Sequence, residues 1–188
     1  MVFVTNALIL PRRAFIAASS LSLFACGSEE PRPNEPGAPA PAWALQDFQP
    51  LSERFGQVYG LDAFRGSVVL VALYAGWCNT CQGAAYQLND LVKQWQAEGL
   101  NLRALALNAA NALYDQQALI DRWEHPLFQD TDAVDAFGQH GGTKDDMFVY
   151  TPDGVLSAFL QWNGAVEVYP FTETGRQNIR AAIAEAQG

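Results

Sequence analysis

The chain has 188 residues, and its 49% hydrophobic and 16% charged content gives the balance of one globular domain, which excludes a mainly disordered chain. Eleven Lys and Arg against 20 Asp and Glu leave a net charge of −9, which excludes a protein that tracks nucleic-acid phosphates with a basic face. No apolar run reaches the roughly 18 residues of a spanning helix, so a multi-pass membrane architecture is excluded too.

The N-terminus reads as an address. Arg12 and Arg13 precede a modestly apolar stretch, Ala14 to Ala25, which has no acidic residue and ends on a small residue before Cys26. A basic region, a short apolar region and a small-residue cleavage point describe an export signal over residues 1–25. Arg12-Arg13-Ala14-Phe15-Ile16 resembles the twin-arginine motif, with Pro11 where Ser or Thr is usual. Leu23-Phe24-Ala25-Cys26-Gly27 resembles a bacterial lipobox, in which Cys26 becomes the lipidated first residue. Residues 26–42 then read as a lipid anchor and an extended, solvated Pro-rich tether. The expected location is the cell envelope, lipid-anchored, facing the periplasm or the exterior. The negative charge would hold the domain off an anionic membrane surface.

Residues 43–188 read as the folded domain. A short strand near Trp43 to Phe48 is expected to join the sheet. Val68 to Tyr74 is a continuous apolar run with β-branched residues, a buried and parallel central strand. Gly76-Trp77-Cys78-Asn79-Thr80-Cys81 follows it. A helix is then predicted from the spacing of Tyr86, Leu88, Leu91, Val92 and Trp95, closed by Gly99. Leu102 to Asn108 is a second strand, and the strand–helix–strand unit demands a right-handed crossover. Asn111 to Trp123 is predicted helical, with Leu113, Leu119, Ile120 and Trp123 inward and Pro126 as its breaker. Leu127 to Gln129 reads as a short strand, Ala133 to Phe137 as a short helix, and the acidic residues from Asp130 to Asp135 as an exposed face. Met147 to Tyr150 and Val155 to Leu160 form a hairpin about Pro152-Asp153-Gly154, and a last helix runs from Thr174 to Ala186. The expected class is α/β, a central mixed sheet flanked by helices with an N-terminal extension. It is similar to the thioredoxin arrangement.

A Cys-x-x-Cys pair where a strand meets a helix has a mechanical meaning. Helical spacing puts both sulfurs on one side of the first turn, close enough to bridge. The first sits among unpaired N–H groups and the positive end of the helix dipole, which favour thiolate. Cys78 is therefore the candidate nucleophile and Cys81 the candidate resolving thiol. A structural disulfide is the bland alternative. A zinc half-site is another, but zinc wants four ligands, and the two histidines, His125 and His140, lack a ligand spacing. No metal and no dissociable cofactor is expected. His140 reads as a surface-loop histidine, with a proton donor as the alternative, and His125 as structural.

Gly76-Trp77-Cys78-Asn79-Thr80-Cys81 resembles a thioredoxin-superfamily active site. Three segments are similar, more closely, to the N-terminal thioredoxin-like domain of selenoprotein P. They are Pro41 to Asp47, Gly66 to Tyr74, and Gly142-Thr143-Lys144-Asp145-Asp146-Met147-Phe148-Val149-Tyr150 with Asp153-Gly154. The family's selenocysteine falls on Cys78, so this would be a cysteine form, expected to lack the selenocysteine- or cysteine-rich tail and the histidine-rich stretch. The resemblance implies a reducing thiol partner and a disulfide or hydroperoxide substrate. It also implies that Lys144, Asp145 and Asp146 stand where thioredoxins generally carry a cis-proline, close to the pair. There Lys144 would support the Cys78 thiolate and a carboxylate would oppose it; a solvated turn is the alternative. Trp77 would shape the surface beside Cys78 and help bind substrate, with packing as its alternative. Rival readings are a reductase of the cytochrome c maturation type, which the Lys-Asp-Asp segment argues against, and a redox-inert binding module of the same fold. A copper-delivery protein would have its cysteines one residue further apart.

Overall fold

The structure, a computed structural model, describes Met1 and residues 30–188. The twin-arginine segment at Arg12 and Arg13, the apolar stretch and the lipidation candidate Cys26 lie outside the described residues. Among the described residues no helix is long and apolar enough to cross a membrane.

The strands are β1 (Leu45–Gln46), β2 (Val58–Tyr59), β3 (Val68–Tyr74), β4 (Leu102–Asn108), β5 (Leu127–Gln129), β6 (Met147–Tyr150) and β7 (Leu156–Leu160). The helices are α1 (Asn79–Ala97), α2 (Gln116–Ile120), α3 (Ala136–His140) and α4 (Glu173–Glu185), with 3₁₀ turns at Leu61–Phe64 and Ala110–Asp115. Five strands make one sheet in the order β5-β4-β3-β6-β7. β3, β4 and β5 run parallel; β6 and β7 are antiparallel. This is the thioredoxin-like α/β fold with its mixed sheet and flanking helices.

β3 is at the centre because it is apolar on both faces. Val68, Leu70, Ala72 and Tyr74 pack with Leu88 and Val92 of α1 and with Ile179 and Ile183 of α4. Val69, Val71 and Leu73 pack with Leu105, Phe128, Phe148 and Trp43 on the other side. Strand alternation thus feeds two cores from one segment. Each fully buried Leu or Val contributes about 1.5–3 kcal/mol. α1 buries Cys81, Ala84, Ala85, Leu88, Val92 and Trp95. Tyr86, expected on that face, is exposed. Gly99 closes the helix with φ +97°, after the C-cap Glu98.

Several expectations need correction. The strand near Trp43 does not extend the main sheet: β1 pairs with β2 as a separate antiparallel ribbon, touching β5 through one bridge, Asp47 to Phe128. The buried Asp47 carboxylate fixes that ribbon. It accepts N–H bonds from Gln49 and Leu127 at 3.0 and 3.2 Å and the Tyr59 hydroxyl at 2.6 Å. The helix from Asn111 to Trp123 is a 3₁₀ turn followed by the short α2, broken at Ala112 (φ −115°, ψ 21°); Leu113 is exposed, while Leu119 and Trp123 are buried. The short helix expected at Ala133 begins at Ala136, because Asp130 is buried and accepts the N–H groups of Ala136 and Phe137 at 2.9 and 3.0 Å. Asp130 therefore braces the start of that helix behind its N-cap Asp135, and is not part of an exposed acidic face.

The tether does not stay solvated along its length either. Gly37 N–H donates to Leu156 at 2.8 Å, Leu156 N–H to Ala38 at 2.8 Å and Ala40 N–H to Gly154 at 2.9 Å. Ala38 is buried. Residues 37–40 therefore dock on the start of β7 and the turn before it.

Candidate active site

The site is built where β3 ends. The Ala75–Cys78 turn is closed by Cys78 N–H on the Ala75 carbonyl at 2.9 Å. Gly76 N–H donates to the side-chain oxygen of buried Asn108 at 2.9 Å, and Gln82 reaches back to the Gly76 carbonyl at 2.6 Å. Gly76 is pressed on the end of the 3₁₀ turn: a Cβ there would lie 2.2 Å from the Asp115 carbonyl oxygen. These contacts aim the next residues, Trp77 and Cys78, out of the sheet. Trp77 is half exposed, its indole N–H on Asn111 at 3.2 Å.

Cys78 is the N-cap of α1, in extended backbone (φ −93°, ψ 112°). Its sulfur accepts the Cys81 backbone N–H at 3.3 Å, doing what Ser or Asp oxygen does at most helix starts. Cys81, one turn in, is fully buried, whereas Cys78 keeps 8% of its surface exposed. Both are free thiols.

The 143–146 loop comes to the sulfurs because it is stitched to β3. Asp145 N–H donates to Leu73 at 2.7 Å and Leu73 N–H to Asp146 at 2.9 Å. Asp145 adopts φ +78°, a left-handed conformation that lets the chain turn there without a proline. No peptide bond among the described residues is cis. The Lys144 ammonium donates to Cys78 Sγ at 3.3 Å and also pairs with Asp145 Oδ2. The Asp145 carboxylate is buried, and its Oδ1 has no hydrogen-bond partner among the described residues. The two sulfurs and an Asp145 oxygen lie within 4.8 Å of one another, the one such group of three His, Cys, Asp or Glu donors among the described residues.

The electrostatics separate the two thiols. Burial pushes the Cys78 thiol up, but the Cys81 thiol, its backbone N–H and the Lys144 ammonium outweigh it, with Asp145 opposing them; the result is below the usual thiol range. Cys81 goes the other way: burial first, then the Asp145 carboxylate and the Cys78 sulfur, hold it firmly protonated. Burial also works against the Lys144 charge, yet Asp145 and Cys78 hold it protonated. The arrangement favours thiolate at Cys78, the less deeply buried sulfur, over thiolate at Cys81.

Four of the sequence candidates meet here: Cys78, Cys81, Lys144 and Asp145, with Trp77 at the rim. Asp146 does not face the sulfurs. Its Oδ2 accepts Thr143 N–H at 2.8 Å and its Oδ1 accepts Trp162 N–H at 2.8 Å, so it braces the loop. His140 is corrected from a surface-loop histidine to a buried one, between Trp43 (3.0 Å) and Tyr150 (2.7 Å). An indole only donates, so His140 Nε2 accepts and Nδ1 carries the proton. Burial pushes that imidazole down to about 3, so it is neutral structure and no proton donor. His125 is structural as expected, edge-on to Trp123 at 5.2 Å. Sequence reasoning missed three contributors: Asn108, Gln82 and Tyr74, whose buried hydroxyl has no partner among the described residues and is pushed up by burial, with Cys81 and Asp145 adding to it. Asn108 left a signal, as a polar residue ending an apolar strand.

Comparison with known proteins adds a family and a set of shared folds. The AhpC/TSA family model matches residues 36–159. A Chlorobium tepidum structure described as a thiol:disulfide interchange protein DsbE shares 20% identity and a TM-score of 0.63, covering 82% of this chain and 99% of that one. A secreted Mycobacterium tuberculosis disulfide oxidoreductase homologous to DsbE shares 12% identity and a TM-score of 0.57, over 76% of this chain and 95% of that one. A secreted thiol-disulfide isomerase from Corynebacterium glutamicum shares 16% identity, also at 0.57, over 78% and 84%.

Proposed function

The chain belongs to the AhpC/TSA family, and on that premise we propose that it is an exported thiol-disulfide oxidoreductase working through Cys78 and Cys81. The observation that carries the reading is the Cys78 sulfur at the start of α1, taking a helix N–H and the Lys144 ammonium at 3.3 Å each. Those donors stabilise thiolate, the attacking species in exchange.

With a disulfide substrate, the Cys78 thiolate attacks one sulfur and expels the other as a thiolate, which takes a proton from solvent. Cys81 then attacks Cys78 Sγ, giving its proton to the nearest base, Asp145, and releases the second substrate thiol. The substrate gains two electrons and the pair becomes a disulfide, which a reducing thiol partner returns to the dithiol. With a hydroperoxide, Cys78 displaces an alcohol and becomes a sulfenic acid; Cys81 condenses with it, releasing water. The segments similar to selenoprotein P support the hydroperoxide arm. The DsbE-like neighbours support the disulfide arm and, as a second reading, a reductase of the cytochrome c maturation type; Lys144-Asp145-Asp146 in place of a cis-proline stands against that one.

Residues 1–25 as an export signal and Cys26 as lipid attachment complete the reading. The domain would hang in the envelope, facing the periplasm or the exterior, which suits its likeness to secreted oxidoreductases. A redox titration with thiol alkylation read by mass tests the core claim. A midpoint near or below roughly −200 mV is expected for a reductase or peroxidase. Cys78→Ser should abolish turnover and Cys81→Ser should trap a mixed disulfide. A pair that never titrates would leave a redox-inert binding module with a structural disulfide.

A further inference from the structure

We propose that the reduced site is also a binding site for a thiophilic divalent cation, zinc or its analogue cadmium, held by the sulfurs of Cys78 and Cys81 and a carboxylate oxygen of Asp145. The inference rests on the same reduced pair but not on its exchanging disulfides.

Geometry comes first. The three donors already lie within 4.8 Å of one another. Around a tetrahedral zinc, with bonds of about 2.0–2.3 Å, donors stand roughly 3.5–3.8 Å apart, so a closing movement on the order of 1 Å completes three corners. The second observation is the carboxylate itself. Asp145 is buried, Lys144 takes its Oδ2, and its Oδ1 has no partner among the described residues. The Cys81 thiol, a weak donor, is the group that acts on this buried carboxylate from the sulfur side, and a cation that takes that sulfur as thiolate satisfies the oxygen better. Two soft sulfurs in the set select zinc-like ions over magnesium or calcium. Cys78 keeps an open edge, which leaves the fourth corner to water.

Lys144 is the competitor. Its ammonium lies 3.3 Å from Cys78 Sγ, and its side chain, 35% exposed, can swing out as the ion enters. Binding changes no oxidation state: the cation forms two metal–sulfur bonds and one metal–oxygen bond, and up to two thiol protons leave to solvent. A disulfide removes both thiolates, so ion and disulfide exclude each other. Bound zinc therefore stops exchange reversibly.

The test uses the reduced full chain carrying Cys26→Ser, so that the pair is the only source of thiols. Zinc is titrated against a chromophoric chelator, and cadmium is followed by its ultraviolet thiolate absorbance. One ion per reduced chain and none per oxidised chain is expected. Asp145→Asn should weaken binding at least tenfold, whereas Lys144→Met should tighten it by removing a like charge. Should Asp145→Asn fail to fold, Lys144→Met still decides. Less than one ion per reduced chain, unchanged affinity in Asp145→Asn, or weaker binding in Lys144→Met would overturn the proposal. A chain that takes up zinc yet never exchanges disulfides would keep this inference and lose the preceding reading; exchange without zinc uptake would do the reverse.

Discussion

Lys144 and Asp145 are adjacent in sequence and act on the two sulfurs in opposite senses. The ammonium stabilises thiolate at Cys78, while the carboxylate opposes it there and helps keep Cys81 protonated. The sign follows directly. Cys78 titrates below an ordinary thiol, so at neutral pH it carries more thiolate than a free cysteine does. Removing a cation that favours the charged form moves the titration upward. Lys144→Met should therefore slow iodoacetamide alkylation of Cys78 on the order of tenfold at pH 7, the low end for a charge-assisted bond because Lys144 is partly solvated. The midpoint of rate against pH should rise with it. An unchanged profile would leave the thiolate to the Cys81 thiol and the helix N-terminus. Asp146 serves as the contrast, because its oxygens are spent on Thr143 and Trp162.

At the scale of elements, the site depends on how tightly the turn after β3 is wedged between β4 and the 3₁₀ turn at Ala110–Asp115. Gly76→Ala would drive a methyl into backbone at Asp115. Backbone does not move aside as a side chain does, so a loss of about 2 kcal/mol is expected, with Cys78 alkylation slowed as the helix start is displaced. Urea unfolding and alkylation measured on the same variant check both parts; wild-type values in both would show that the turn has slack. β3, α1 and β4 were legible in the sequence because long apolar runs and a sustained helical period overdetermine them. The stretch from Asn111 to Trp123 was not. Asn108 ties the Ala112 carbonyl at 2.8 Å, which favours a 3₁₀ turn over a continuing helix, and the pattern counted an exposed Leu113 as core. His140 was misread because its partners, Trp43 and Tyr150, are brought to it only by the folded sheet. The Cys78–Cys81 pair was plain, and the loop at Lys144 was expected near it. Which of Lys144, Asp145 and Asp146 would face the sulfur was not legible. That choice is made by the left-handed backbone at Asp145, a property of the turn and not of composition.

For the molecule as a whole, the open question is where its cooperative unit begins. β7 is an edge strand, and bare edges invite pairing with other chains. Residues 37–40 cover the start of that edge, with two backbone bonds to Leu156 and a third to Gly154 in the turn before it, and further back the Asn34 side chain ties to the Gly141 carbonyl at 3.0 Å. The family match, beginning at residue 36, includes the same segment. A small residue such as Ala38 gives no hydrophobic period, which is why the stretch reads as tether from sequence alone. The comparison that measures its worth is between chains begun at Pro33 and at Trp43. Three backbone bonds at about 1 kcal/mol each suggest a loss of about 3 kcal/mol in the shorter chain, or roughly 8 °C in Tm for a domain of this size. The shorter chain should also self-associate, because the Leu156 amide and carbonyl are left without partners and the whole β7 edge is then bare. Equal melting temperatures and a monomeric shorter chain would mean that the segment only rests on the edge, and that the independent folding unit starts at Trp43 after all.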